Sequence, residues 1–164
     1  MKHSFESVTF VPAPLKEVFG FFSDAQNLEK ITPKELRFRI LTPLPIEMKP
    51  GALIDYSMRL NGVPMKWRTE ITKFEPMVRF VDVQQRGPYK QWIHEHRFEE
   101  SEGGTLMIDR VDYEVGMGFI GEIVHTLFVR RKVKQIFEHR AEFIKRQFAS
   151  SRNGALRQAR NVAV

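Results

Sequence analysis

A change of hydrophobic period near residue 116 constrains this chain most. Upstream, "ALIDYSMRL" (52–60), "VPMKWRTEITKF" (63–74), "VRFVDVQQ" (78–85), "YKQWIHEHRFE" (89–99) and "TLMIDRVDYEV" (105–115) alternate apolar and polar residues and are rich in Val, Ile, Tyr, Trp and Phe. That is the period of β-strands. Turn signals divide them: Asn61-Gly62, "EPM", "RGP" and Gly103-Gly104. Downstream, over about 119–149, Ile120, Ile123, Val124, Leu127, Val133, Ile136, Phe137, Ala141, Ile144 and Phe148 recur at the three-and-four spacing of one helix face. Arg131, Lys132, Lys134, Glu138, Lys145 and Arg146 fall on the other face. A meander of antiparallel strands followed by one long amphipathic helix predicts a two-layer α+β domain. The sheet must curl around the helix to bury both apolar surfaces, which leaves room between them.

The first 51 residues add a strand, "HSFESVTFVPAP" (3–14), and a helix, "PLKEVFGFFSD" (14–24), with Leu15, Val18, Phe19 and Phe22 at helical spacing. Asp24 is placed to cap a second short helix over 25–31 that stops before Pro33. "LRFRILT" (36–42) reads as a further strand, giving about seven in all. "TPLPIEMKPG" (42–51) is too rich in proline for a sheet and serves as a rigid connection or as a lid.

The chain of 164 residues suits one domain, 1–149, followed by a basic, flexible tail, 150–164. The net charge is +6. Lys145, Arg146, Arg152, Arg157 and Arg160 supply nearly all of that excess, and no acid follows Glu142. No strand or helix combines a basic row with exposed aromatics, so no nucleic-acid partner is expected. "FVRRKVKQ" (128–135) reads as a solvated helix face before it reads as a contact for anionic lipid. The absence of Cys excludes disulfides and thiolate chemistry. Without a long apolar run or the apolar centre of a secretory signal, a cytoplasmic protein is expected.

The order of strand, two short helices, six-strand meander and long helix resembles the helix-grip fold. That fold is shared by START lipid-transfer domains, birch-pollen-type allergens and polyketide cyclase/dehydrase-like proteins (SRPBCC). "TPLPIEMKPGALIDYSMRLNGVPMKWRTEITKFEP", "RFVDVQQRGPYKQWIHEHRFEE", "GGTLMIDRVDYEV" and "IFEHRAEFIKRQF" resemble the bacterial members of unassigned function. The resemblance covers roughly residues 3–149. It implies a curled antiparallel sheet around the C-terminal helix, with a mostly apolar cavity for a small organic ligand between them. Many proteins of this type are monomers or dimers, so a monomer or homodimer is expected; no cofactor is expected.

Strand parity assigns the inner faces. Trp92, His94, His96 and Phe98 share one face of their strand. Thr105, Met107, Asp109, Val111 and Tyr113 share the less charged face of the next. A tight turn at Gly103-Gly104 predicts His96 opposite Met107 and His94 opposite Asp109. The "RGP" turn predicts His94 opposite Asp82 and Trp92 opposite Gln84. Phe80, Asp82 and Gln84 then face inward, in competition with Val81 and Val83. Met65, Trp67, Thr69 and Ile71 face inward in their strand, joined by Ile54, Tyr56 or Met58. Asp82, His94, His96 and Asp109, with Thr69 and Gln84, form a polar island among aromatic walls.

That island admits several uses. Polar groups in an apolar cavity orient a ligand's hydroxyl or carboxylate, which makes the protein a binder or carrier of a lipid, polyketide or aromatic molecule. If the protein is an enzyme, His94 and Asp109 are the pair for proton transfer in a cyclase/dehydratase-type reaction. A His-x-His pair with an aspartate also matches two cis metal ligands and a third, but His3, His125 and His139 lack supporting spacing, and no metal is expected. The remaining reading is a structural network in which buried His and Asp satisfy one another.

Overall fold

The computed structural model describes residues 1–60, 62–116 and 128–162. Strand β1 (Lys2–Val11) leads into helices α1 (Leu15–Phe22) and α2 (Asn27–Ile31). A short 3-10 turn, Lys34–Leu36, precedes strand β2 (Arg39–Ile40). The meander follows as β3 (Leu53–Leu60), β4 (Val63–Glu75), β5 (Arg79–Arg86), β6 (Gln91–Ser101) and β7 (Gly104–Glu114). Helix α3 spans Arg130–Val162. The sheet has seven strands in the order β1-β7-β6-β5-β4-β3-β2, antiparallel throughout. This is the helix-grip arrangement. No helix among the described residues is long and apolar enough to cross a membrane.

The alternation in the sequence becomes the burial pattern. In β7, Thr105, Met107, Asp109, Val111 and Tyr113 are all buried, and the intervening residues are not. In β6, His94, His96 and Phe98 are buried on the same inner side. Across these faces, Phe19 and Phe22 of α1 meet Phe80, Phe98 and Met107 of the sheet and Ile144 and Phe148 of α3. Val133 and Phe137 of α3 cover Val111 and Tyr113. Fully burying each such side chain contributes about 1.5–3 kcal/mol, so α1 and α3 are held chiefly by these apolar contacts.

Three local expectations change. Residues 36–42 yield only the two-residue β2, because the chain first closes the 3-10 turn and Arg37 adopts a left-handed backbone, φ +44°, which interrupts an extended run. The β6–β7 turn is centred on Glu102-Gly103, with Ser101 opposite Gly104 and Gly103 at φ +75°. The pairs are therefore His96 with Asp109, His94 with Val111 and Phe98 with Met107. Each β6 residue sits two places from its expected partner, a shift that leaves every side chain on its predicted face. Helical backbone continues from the expected end near residue 149 to Val162, through a segment rich in Ala, Leu, Gln and Arg, which favour helix. Asn61 of the β3–β4 turn and the expected helix start with Ile120, Ile123, Val124 and Leu127 lie outside the described residues.

Candidate functional site

Four elements converge on one polar cluster. Strand β6 supplies His94 and His96, β5 supplies Asp82, β7 supplies Asp109 and α3 supplies Arg140. Asp82 stands opposite His94 in the ladder, as the "RGP" turn predicts. His94 Nε2 lies 3.0 Å from Asp109 Oδ1, and His96 Nε2 lies 3.2 Å from Asp82 Oδ2. Thr69 donates its hydroxyl to Asp82 Oδ1 at 3.1 Å. Two further contacts cross the cluster: His94 Nδ1 to Asp82 Oδ2 at 3.6 Å and His96 Nδ1 to Asp109 Oδ1 at 2.8 Å. The last is short but poorly directed for a hydrogen bond, so it is a charge contact. Arg140 Nη1 stands 3.7 Å from Asp109 Oδ1, and its guanidinium carbon lies 5.0 Å from the centre of the Phe137 ring.

The histidines are not equivalent. Burial, followed by the charge of His96, holds His94 below the ordinary imidazole value. Burial also opposes protonation of His96, but its contacts with Asp109 and Asp82 outweigh that and raise it. For Asp109 burial favours the neutral acid, yet His94, His96 and Arg140 hold its carboxyl well below the usual range. Asp82 is lowered in the same way, against burial, by His96, His94 and Thr69. His96 therefore takes a proton before His94 does. A ring-proton NMR titration should place the His96 midpoint above pH 6.5 and the His94 midpoint below it. The raised His96 stabilises the fold below 6.5 and loses that contribution as pH rises through its folded value. The lowered His94 works oppositely, contributing above 6.5 and losing its contribution as pH falls. Asp82→Asn should move the His96 midpoint downward; an unmoved midpoint contradicts the pairing.

Above the cluster lies a cavity of about 150 Å³ between the sheet, α1, α2 and α3. Among the predicted residues, Trp67, Thr69, Phe80, Asp82, Trp92, His94 and His96 line it. So do Ile54, Tyr56, Met58 and Met65, while Met48 brings part of the 42–51 segment into the wall. Trp67 packs edge-on to Trp92, with ring centres 5.5 Å apart, and stacks on Tyr56 at 5.8 Å. Other predicted residues lie elsewhere. Phe98 and Met107 belong to the core beneath α1, and Val111 and Tyr113 are covered by Val133 and Phe137. Asp109 sits behind the histidines. Gln84 uses its amide on the turn, donating to the Tyr89 carbonyl at 2.6 Å and accepting from the Tyr89 N–H at 3.3 Å.

Arg140 and Lys132 were not legible as site residues. Both line the cavity, although Lys132 falls on the polar face of the helix pattern. Arg140 occupies the buried stripe itself, three residues after Phe137 and four before Ile144. A base breaking an apolar three-and-four repeat was the signal available. Among the described residues, Asp82, His94 and His96 bring ligand atoms within 4.8 Å of one another, an arrangement able to hold a cation. Asp82 already accepts from Thr69 at 3.1 Å and faces His96 Nε2 at 3.2 Å without one.

The model of the family described as "Polyketide cyclase / dehydrase and lipid transport" matches residues 11–142. The chain belongs to this family. No curated protein matches it. Among solved structures, TTHA0849 from Thermus thermophilus superposes with a TM-score of 0.73 at 14% identity, covering 91% of this chain and 99% of that one. Ara h 8.0201 gives 0.64 at 16%, covering 92% and 99%. The di-domain ARO/CYC StfQ from the steffimycin biosynthetic pathway gives 0.69 at 16%, covering 94% of this chain and 53% of that one. At these identities the likeness establishes the fold that family members share. The chemistry has to be argued from the site.

Proposed function

We propose that this family member binds or carries a small hydrophobic organic ligand, of lipid, polyketide or aromatic type, in the cavity between sheet and α3. The observation that carries this reading is the cavity itself: aromatic and aliphatic walls with a few polar groups converging at one place, the usual make-up of a small-molecule site. A volume near 150 Å³ accommodates a single aromatic ring. Both tryptophans of the chain, Trp67 and Trp92, line it. Ligand entry is therefore expected to change intrinsic fluorescence saturably without any label. An unchanged spectrum across a panel of ring and chain ligands contradicts the reading.

The 3.0 Å contact of His94 with Asp109 favours a second reading, a cyclase/dehydratase-type enzyme. Asp109 accepts the Nε2 proton and fixes the ring, leaving neutral His94 with an unprotonated nitrogen suited to general base work. Turnover of an enolisable polyketide-like substrate, abolished in His94→Ala, supports the enzyme. Binding without turnover supports the carrier.

A further inference from the structure

The unpaired hydrogen-bonding atoms around this cavity point to the chemistry of its ligand. Arg140 is 9% exposed, yet its Nε and Nη1 have no hydrogen-bond partner. Its nearest carboxylate, Asp109, is 3.7 Å away and already faces His94 at 3.0 Å and His96 at 2.8 Å. Trp67 Nε1 is buried and unpaired as well. The nearby acceptors are occupied: Asp82 by Thr69 and His96, Asp109 by His94. Arg140 and Trp67, which both line the cavity, thus carry unpaired donors, one of them with a full positive charge, while the remaining atom of the cluster without a hydrogen bond, His96 Nδ1, faces Asp109 Oδ1 at 2.8 Å. A buried donor left unpaired is costly, and more so when it is charged. An entering acceptor with negative charge relieves that cost, which a neutral hydrocarbon cannot do.

We infer that the ligand is an organic carboxylate, its head group held by Arg140 and its apolar body set against Trp67, Trp92, Phe80 and Tyr56. This rests on the reading that the cavity binds a ligand and specifies the class. Asp109 does not bar the anion, because its carboxylate is already engaged by the His94 ring N–H at 3.0 Å and by His96 at 2.8 Å. Arginine suits the role because its planar, permanently charged group matches a carboxylate.

The test is calorimetric titration of the full chain at neutral pH with matched pairs: hydrocinnamate against hydrocinnamyl alcohol, and decanoate against decanol. In the wild type the acid of at least one pair is expected to bind about tenfold or more tightly than its alcohol, the difference a charged hydrogen bond makes. In Arg140→Gln, with folding checked by a thermal melt, the acid-to-alcohol ratio should fall to near one. Arg140→Lys keeps the charge without the planar fork and should retain an intermediate preference, so the proposal stays testable if the glutamine variant does not fold. Alcohols that bind as tightly as their acids, or an acid preference that survives in Arg140→Gln, overturn the carboxylate inference while leaving a ligand-binding cavity in place. Failure of both acids and both alcohols to bind overturns the cavity reading itself.

Discussion

Replacing Asp109 with asparagine should lower the unfolding free energy by about 3–5 kcal/mol, the cost of removing one partner from a buried charge network. Asp109 is 2% exposed and faces His94, His96 and Arg140 at 3.0, 2.8 and 3.7 Å. An asparagine keeps the shape and loses the charge, so protonated His96 and Arg140 are left under-compensated in a dry environment. The pH dependence has a definite sign. A carboxyl held below its ordinary 3.8 contributes above that value and loses its contribution as pH falls through the folded pKa. Wild type and variant should therefore differ fully at neutral pH and converge only in strong acid. Asp112 is the matched control. It is only partly buried and pairs with Arg110 at 3.2 Å on the outer face of the same strand, so Asp112→Asn should cost less than about 1 kcal/mol. Urea unfolding measures both. A loss below about 1 kcal/mol at Asp109 contradicts the network.

Phe80→Ala should cost about 3–5 kcal/mol by the same measurement, the range for truncating a buried phenylalanine. Phe80 is 4% exposed and joins two parts of the molecule. Its ring stacks on His96 at 4.3 Å and on Phe98 at 6.1 Å, and meets Phe19 of α1 edge-on at 6.4 Å. It is also part of the cavity wall. Truncation therefore removes packing from α1 and opens space beside His96. Phe80→Leu keeps most of the volume and should cost clearly less. Similar losses for the two variants would show that the ring fills no closely packed position.

The sheet faces were legible because period two is unambiguous when one face carries Trp92, His94, His96 and Phe98 and the other carries charges. Parity fixes the face but not the partner. The β6–β7 register depended on which residues make the turn, and Glu102-Gly103 was as compatible with the pattern as Gly103-Gly104. Gln84 shows a related gap: parity aimed it inward, but its amide found the Tyr89 backbone first. Arg140 was hidden for another reason. On a helix carrying many bases, one more reads as solvent-facing unless its exact position in the buried stripe is followed. What escaped the sequence was thus long-range: where the β6 and β7 ladders meet, and which helix side chain lands above Asp109.

The central claim is that small organic ligands enter between the sheet and α3. The most direct measurement is NMR shift mapping with hydrocinnamyl alcohol and hydrocinnamate, following the indole N–H signals of Trp67 and Trp92 and the ring signals of His94 and His96. The predicted result is saturable shifts concentrated on these four side chains. Shifts scattered over exposed residues such as Val8, Phe10 and Val63, with the four unmoved, would contradict it.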